Sequence, residues 1–193
     1  DEEVATHYLA SIGRLQASGL SVEFVSPPRP LEDYFEPNGV LMAGEGWRVR
    51  GDHVTRHRDQ MDPWVARRFE GGREIGDDVL AAAQRRRAED QAEFHGWLAS
   101  FQGLLCPASP IAAPPLDQAD ETTSPLSRLT RAANYLDLPA ASVPCGLTRD
   151  GMPVGMQVMA GPRDETALVA GAVIVGGAKL VEFMGESCPS VSF

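Results

Sequence analysis

The sequence is poor in lysine and in cysteine, and both shortages narrow the range of functions. Only one of its 17 basic residues is a lysine, Lys179. Its three cysteines, Cys106, Cys145 and Cys188, are too few for the disulfide framework of a small secreted domain. The N-terminus has no basic region followed by an apolar run, which argues against a signal peptide. We therefore expect a cytoplasmic protein in a reducing compartment.

The sequence also lacks a long hydrophobic run and an excess of positive charge. Its most apolar window, residues 167–178, is shorter than a bilayer requires and is interrupted by three glycines. The formal net charge is −10, from 17 basic and 27 acidic residues, and such a surface repels the phosphates of a nucleic acid. We therefore expect neither a membrane nor a nucleic acid as a partner.

The remaining composition is that of an ordinary globular domain. Hydrophobic residues make up 43% of the 193 residues and charged residues 23%, which is enough for one sizeable core. The sequence begins at Asp1, without a methionine and within a helical pattern. We interpret it as a fragment whose upstream part is absent.

Hydrophobic periodicity and turn residues predict helices that alternate with strands. The predicted helices cover residues 4–15, 31–40, 63–69, 75–101, a segment that opens at Ser124-Pro125 and ends near Leu136, and a last helix capped near Asp164. The predicted strands cover residues 20–25, 104–106, 140–143 and 154–159, with a turn at Asp150-Gly151 between the last two. Strands separated by helices are typical of an α/β protein with a mixed sheet.

Two groups of charged or metal-binding side chains have ordinary explanations. Residues 85–87 are consecutive arginines in the long predicted helix, but the acidic side chains within residues 89–93 lie within helical reach. A solvated face with salt bridges is therefore favoured over a basic binding patch. His53 and His57 are spaced like a helical metal pair, yet the glutamate of a His-Glu-x-x-His motif and a third ligand are both missing. We predict no metal site.

No motif for a nucleophile is complete. Cys145 lies at the end of an apolar strand, as does Cys106, and a small buried thiol is the expected role of both. The segment around Ser142 is not a nucleophile elbow, because glycines do not flank the serine at the required positions. The glycine pairs lack the strand–loop–helix context of a phosphate-binding loop. The residues by themselves therefore define no self-sufficient active site.

Four segments in order carry a family resemblance: DEEVATHYLASIGRLQASGLSVEFVSPP (1–28), Met61-Asp62-Pro63 through Gly72, LLCPASPIAAPP (104–115) and LTRAANYLDLPAASVPCGLTRDGMPVGMQV (129–158). The last is the most specific. It is similar, at about ten positions, to the Thr…Asn-x-x-Gly-x-Pro-Ala-x-Ser-Val-Pro-x-Gly…Gly-x-Pro-x-Gly-x-Gln pattern of the amidase signature family. Residues 1–193 thus resemble the C-terminal half of a single amidase domain, an α/β fold with a mixed sheet covered by helices. The match fades after about residue 172.

The resemblance implies hydrolysis of an amide by a serine nucleophile, a bridging serine and a lysine, with no metal or organic cofactor. In the family, these groups and a Gly/Ser-rich oxyanion loop lie upstream of the part resembled here, and Lys179 is in the wrong place. No catalytic residue is carried over, and the chain alone is expected to be inactive. The implied partners are a small-molecule amide and the missing N-terminal half of the domain, while a homodimer is left open.

Three residues are candidates for the wall of the substrate pocket. Thr130 and Asn134 lie one helical turn apart on the same face, and Gln157 is a strand-end amide in the family pattern. Each has a local alternative. Capping or packing is the commoner role of residues such as Thr130 and Asn134, and a strand-end amide such as Gln157 more often satisfies the backbone than binds a substrate.

Two departures from the family pattern bear on the alternatives. Asp137 stands where the commonest family version has glycine, and Leu-Asp-Leu there is similar to allophanate-hydrolase-like members. A second hypothesis is that the protein is the A subunit of a tRNA-dependent amidotransferase. Ser127 occupies the place where those subunits have an aspartate, which weakens this hypothesis. A non-catalytic fragment or pseudoenzyme used for binding is the third.

Overall fold

The structure is a computed structural model that describes residues 1–119 and 126–187, with side chains of the last helix described up to Gly176. The helices of this part are α1 (Glu2–Ala17), α2 (Phe35–His57), α3 (Pro63–Glu70), α4 (Asp77–Leu98), α5 (Arg131–Leu136) and α6 (Glu165–Ser187). The strands are β1 (Leu104–Pro107), β2 (Ala140–Leu147) and β3 (Pro153–Met159). Short 3-10 turns lie at Leu31–Tyr34, Arg58–Gln60 and Leu116–Gln118.

Helix α1 forms where the sequence predicts the first helix. The side chain of Asp1 caps its N-terminus, and Gly19 follows its end with a φ of 95°, a conformation that a side chain would strain. Its apolar face packs on the sheet, and the Tyr8 hydroxyl donates to the Leu105 carbonyl oxygen at 3.0 Å. The periodicity of residues 4–15 therefore predicted both the helix and its buried side.

The strand predicted over residues 20–25 is wrong. Residues 20–27 pair with no strand, and the Phe24 side chain is 74% exposed. The carbonyl oxygen of Val22 accepts a bond from the Gln16 side chain at 3.1 Å, instead of one from a neighbouring strand. Alternating apolar residues favour an extended chain, but a strand also requires a partner backbone, which the described residues do not place here.

Helix α2 is far longer than the short helix predicted over residues 31–40. A 3-10 turn at Leu31–Tyr34 leads into it, and it continues for 23 residues. Four glycines weakened the sequence signal, since each disfavours a helix by about 1 kcal/mol. Their small size serves packing instead: a Cβ atom at Gly44 would lie 3.2 Å from the Leu80 side chain of α4. Close packing between helices has therefore overridden local propensity.

Helices α3 and α4 form where the sequence predicts them, within three residues at each end. The Asp62 carboxylate caps α3 by accepting from the Trp64 backbone N–H at 2.9 Å, and Pro63 occupies the first turn. Helix α4 buries Leu80, Phe94 and Leu98. The apolar spacing that predicted a helix over residues 75–101 included Phe94 and Leu98, but it missed Leu80 and included Val79, which is 50% exposed.

The three strands form one antiparallel sheet in the order β1-β3-β2. β2 and β3 form a hairpin around the predicted turn, where Gly151 has a φ of 79°. β1 pairs with the other edge of β3, so that Cys106 lies opposite Gln157. The prediction of a mixed sheet is therefore wrong for the described residues, whose strand pairs are all antiparallel. The order of the elements along the chain, with a helix between β1 and β2, does not reveal that β3 lies between β1 and β2 and is antiparallel to both.

The sheet separates two apolar clusters. One lies between a sheet face and helices α2, α4 and α5, and it includes Tyr34, Phe94, Tyr135, Leu136 and Met159. The other lies between the opposite face and helices α1 and α6, and it includes Ile12, Leu15, Val143, Met156 and Val158. Residues of β1 and β3 contribute to both clusters, because successive side chains point to opposite faces, whereas β2 contributes Val143 and Cys145 to the second cluster only.

Helix α6 begins as predicted, with the Asp164 side chain accepting from the Ala167 N–H at 2.9 Å. Its backbone remains helical to Ser187, although glycines in this segment disfavour a helix. The predicted helix start at Ser124-Pro125 lies outside the described residues. Residues 126–130 form a turn and not the predicted helix, so α5 begins only at Arg131, and it ends at Leu136 as predicted. None of the helices in the described part is long and apolar enough to span a membrane.

Candidate substrate-facing site

Thr130 lies half-buried in the turn that leads into α5. Its hydroxyl donates to the carbonyl oxygen of Ser127 at 3.2 Å. Such a bond from a threonine to a nearby carbonyl is a common local arrangement at the start of a helix. The described geometry thus gives Thr130 a local partner, and Thr130 does not line the cavity beside Asn134.

Asn134 lines a cavity of about 280 Å³ at the C-terminal end of α5. The charged side chains of Asp137, Arg163 and Glu165 line the same cavity. Asp137 ends α5 with a φ of 56°, and Arg163 precedes the cap of α6 with a φ of 61°, so left-handed backbone shapes both sides of the opening. An amide beside charges of both signs suits the polar groups of a small molecule.

Gln157 lies in the middle of the sheet and is only 4% exposed. Its side-chain amide donates to the Cys106 sulfur at 3.4 Å, and Ser142 faces it from the other neighbouring strand. Gln157 lines neither of the two cavities described here. The structure therefore separates Gln157 from Asn134 and gives it a partner within the sheet.

A second cavity, of about 300 Å³, opens on the sheet near the end of β1. Ser142 and Pro144 of β2, Gly155 of β3 and Ser109 after β1 are among the residues that line it. Gly155 is required there, because a Cβ atom would lie 2.8 Å from the Ser142 hydroxyl oxygen. Small residues thus create this depression, and it holds no charged side chain.

Asp90, which the sequence places on a solvated face of α4, is only 3% exposed. It accepts bonds from the Tyr135 hydroxyl at 2.9 Å and from Arg86 Nε at 3.1 Å, and Arg29 Nη1 lies 3.5 Å away. The predicted salt bridge is confirmed at Arg86, whereas the predicted solvation of Asp90 is wrong. Arg87 instead donates to the backbone of α5. The run of arginines gave no sign of this tertiary contact.

His53 and His57 lie on successive turns of α2, with their rings tilted by 39° and the ring centroids 4.6 Å apart. His53 is exposed and His57 half-buried. Within residues 1–119 and 126–187, no group of three or more histidine, cysteine, aspartate or glutamate side chains is arranged to hold a metal ion. The pair therefore has no further ligand in the described part.

The sequence profile of the Amidase family matches residues 1–169. The chain belongs to this family. It is similar to the A subunit of glutamyl-tRNA(Gln) amidotransferase from Granulibacter bethesdensis, with 30% identity over 198 residues that cover 88% of this chain and 39% of that subunit. The A subunit from Trichodesmium erythraeum is 27% identical over 203 residues, which cover 90% of this chain and 41% of the subunit. The chain thus spans about two fifths of the length of these curated relatives.

Solved structures share the fold of this amidase-family chain. Kluyveromyces lactis allophanate hydrolase superposes with a TM-score of 0.77 at 19% identity, over 91% of this chain and 30% of that one. A 6-aminohexanoate cyclic dimer hydrolase gives a TM-score of 0.76 at 18% identity, over 92% and 42%. A structure described as an amidase gives 0.75 at 23% identity, over 94% and 42%. The amidase-signature fold predicted from the sequence is confirmed for the part that this chain covers.

The Cys106 thiol of this amidase-family chain is a poor nucleophile. Burial raises the pKa of Cys106 to about 11, so the thiol is protonated at neutral pH. Cys145 is 1% exposed, and neither residue is in a disulfide. The prediction that both cysteines are buried at apolar strands is confirmed, and neither supplies the nucleophile of an amidase.

Proposed function

We propose that this chain is the C-terminal part of an amidase that hydrolyses the carbon–nitrogen bond of a small carboxamide. The observation that carries the proposal is the match of the Amidase family profile to residues 1–169, which includes the most specific segment, residues 129–158. In this proposal the chain supplies one wall of the substrate pocket. Asn134 and the charged cavity beside it are the best candidates for that wall.

The proposed chemistry places the catalytic groups in the remaining three fifths of an amidase domain. A serine hydroxyl attacks an amide carbonyl when a base takes its proton, and a neutral lysine acting through a bridging serine is such a base. The C–N bond then breaks, the amine leaves with that proton, and water hydrolyses the acyl ester. The only lysine of this chain, Lys179, has its side chain outside the described residues, and the sequence has no Gly/Ser-rich loop for the oxyanion. No metal or organic cofactor enters this scheme.

A second candidate is the A subunit of a tRNA-dependent amidotransferase. The similarity to the Granulibacter bethesdensis subunit over 88% of this chain favours it. Ser127 weighs against it, because the resemblance places an aspartate of those subunits at this position. The two functions differ in their requirements, since an amidotransferase needs a partner subunit and a charged tRNA, whereas an amidase needs only its amide.

The test measures ammonia release from acetamide, propionamide, benzamide and L-glutamine. We expect no turnover by the purified 193-residue chain, because it contains no lysine–serine relay. We expect turnover of at least one amide by the protein translated from the complete reading frame that contains these residues. Turnover by the short chain that survives repurification would contradict the assignment of catalytic groups elsewhere. A complete protein that binds amides without turnover would favour a pseudoenzyme, and release from glutamine that depends on tRNA would favour the amidotransferase.

A further inference from the structure

We infer that helix α4 positions Asn134 for substrate binding through four side chains, Arg87, Asp90, Gln91 and His95, which we call the α4 clamp. The inference rests on the proposed function, because it takes Asn134 as a substrate-facing residue. It goes further by assigning positioning roles to residues that lie outside the cavity. None of the four lines the cavity beside Asn134.

The α4 clamp makes five hydrogen bonds to α5. Arg87 donates through Nη2 to the Asn134 carbonyl oxygen at 2.9 Å and through Nε to the Tyr135 carbonyl oxygen at 2.7 Å. Gln91 Nε2 donates to the same Tyr135 oxygen at 3.0 Å, and the Tyr135 hydroxyl donates to Asp90 at 2.9 Å. The remaining bond joins His95 Nε2 to the Leu136 carbonyl oxygen at 2.7 Å. Because a carbonyl oxygen only accepts, His95 is the donor.

These bonds satisfy the groups that a short helix leaves unpaired. Helix α5 has six residues, so it is too short to be stable by itself, and its last carbonyl groups have no partners within the helix. Arg87, Gln91 and His95 are spaced four residues apart and therefore lie on one face of α4. Arginine at a helix C-terminus also interacts favourably with the helix dipole. Helix α4 thus helps to set the position of α5, which also packs on α2 and on the turn at Leu31–Tyr34.

The α4 clamp acts directly on the residue that lines the cavity. Arg87 donates to the backbone of Asn134, and Asn134 is one of the residues that line the 280 Å³ cavity. On the other side, the Leu138 N–H donates to the Ala133 carbonyl oxygen at 3.0 Å and closes the end of the helix around Asp137. A shift of α5 would therefore move the Asn134 amide and the Asp137 carboxylate together. An error of about 1 Å in the position of a binding group is enough to cost a large factor in rate or affinity.

The test compares two arginines of the same helix in the complete amidase, assayed with the best of the four amides named above. Arg87→Met removes two bonds to α5, whereas the exposed Arg85 donates to no α5 carbonyl, and Arg85→Met is the matched control. We expect Arg87→Met to raise KM about tenfold with kcat changed less than about twofold, because a misplaced binding group weakens substrate and transition state alike. Arg87→Lys, which keeps one donor, is expected to recover part of the loss.

A double-mutant cycle separates positioning from a general loss of stability. If the α4 clamp acts mainly through Asn134, Arg87→Met has a much smaller effect on KM in an Asn134→Ala background than in the unmodified protein. Equal KM values for the Arg87 and Arg85 variants, or additive effects in the cycle, would overturn the inference while the measured turnover still upheld the proposed function. If Arg87→Met gives no cooperative melt, Gln91→Met is judged by the same criteria. A wild-type protein without turnover would overturn the proposed function and this inference together.

Discussion

Two tyrosines stack in the core, and only one of them has a hydrogen-bond partner for its hydroxyl among the described residues. Their ring centroids are 5.5 Å apart, and Tyr34 and Tyr135 are 1% and 0% exposed. The Tyr135 hydroxyl donates to Asp90 at 2.9 Å, whereas the Tyr34 hydroxyl has no hydrogen-bond partner among the described residues. Burial, with the nearby Asp90 carboxylate as a further cause, raises the pKa of each to about 12, so both are neutral at physiological pH. The two residues thus form a matched pair for measuring one buried hydrogen bond.

We expect Tyr135→Phe to lower the free energy of unfolding by about 2 kcal/mol, because the buried Asp90 carboxylate loses a hydrogen-bond donor. Tyr34→Phe removes a hydroxyl without a described partner, so we expect a change below about 0.5 kcal/mol or a gain in stability. Urea denaturation at pH 7, followed by circular dichroism, measures both. A loss for Tyr34→Phe as large as that for Tyr135→Phe would show that the Tyr34 hydroxyl does have a partner.

At the scale of the elements, the junction between α3 and α2 distinguishes two adjacent glycines. A Cβ atom at Gly72 would overlap the carbonyl group of Ala43 in α2 and lie 2.9 Å from the Trp47 Cβ atom. A Cβ atom at Gly71 would meet the Arg67 carbonyl oxygen at 3.5 Å, which is ordinary contact. Gly71 also has a helical φ of −57°. Only Gly72 therefore allows the two helices to approach.

We expect Gly72→Ala to destabilise the chain by about 3 kcal/mol, because backbone atoms of α2 cannot move aside as a flexible side chain would. Gly71→Ala is the control, and we expect it to leave stability unchanged or to raise it by less than about 1 kcal/mol. Chemical denaturation of both variants decides the matter. If both substitutions were tolerated equally, the close contact between α3 and α2 would be incorrect.

The elements that the sequence predicted well are those with strong periodicity. Helix α1 carries apolar residues at helical spacing, so both its existence and its buried face could be predicted. For α4 the spacing predicted the helix, but it predicted the buried side chains only in the second half, at Phe94 and Leu98. Helix α2 was underestimated because its glycines lower helix propensity, while the packing that rewards them is a tertiary property. The strand over residues 20–25 was wrong for a related reason, since a strand depends on a neighbour that the local pattern does not reveal.

For the candidate site too, the sequence predicted what depends on local pattern and missed what depends on tertiary contacts. The sequence pattern identified Asn134, and the structure places it at a cavity with Asp137. The sequence pattern did not indicate that Arg163 and Glu165, which come from a distant segment, line the same cavity, or that Asp90 is buried. The spacing of Arg87, Gln91 and His95 was visible, but it is typical of any solvated helix face until the neighbour is known.

At the scale of the whole molecule, apolar surface is left uncovered on α6 and β2. Val169 and Val173 of α6 are 60% and 65% exposed, although the opposite side of this helix packs on the sheet. A helix that is apolar on all sides is typical of a buried helix. Leu147 at the end of the edge strand β2 is 60% exposed. Because the chain spans about two fifths of its relatives, this surface fits a position in the interior of a larger domain.

We therefore expect the isolated 193-residue chain to self-associate and to bind a hydrophobic dye strongly. Val173→Lys places a charge on the apolar side of α6 and should reduce both signals without loss of helix content, since the replaced side chain is mostly exposed. Val49→Lys is the matched control, because Val49 is 73% exposed on α2, away from this surface. Sedimentation velocity and dye fluorescence measure the effect, and supplying the rest of the amidase domain should suppress association in the unmodified chain. A monomeric chain with a sharp cooperative melt and no dye signal would show that residues 1–193 form a complete domain on their own.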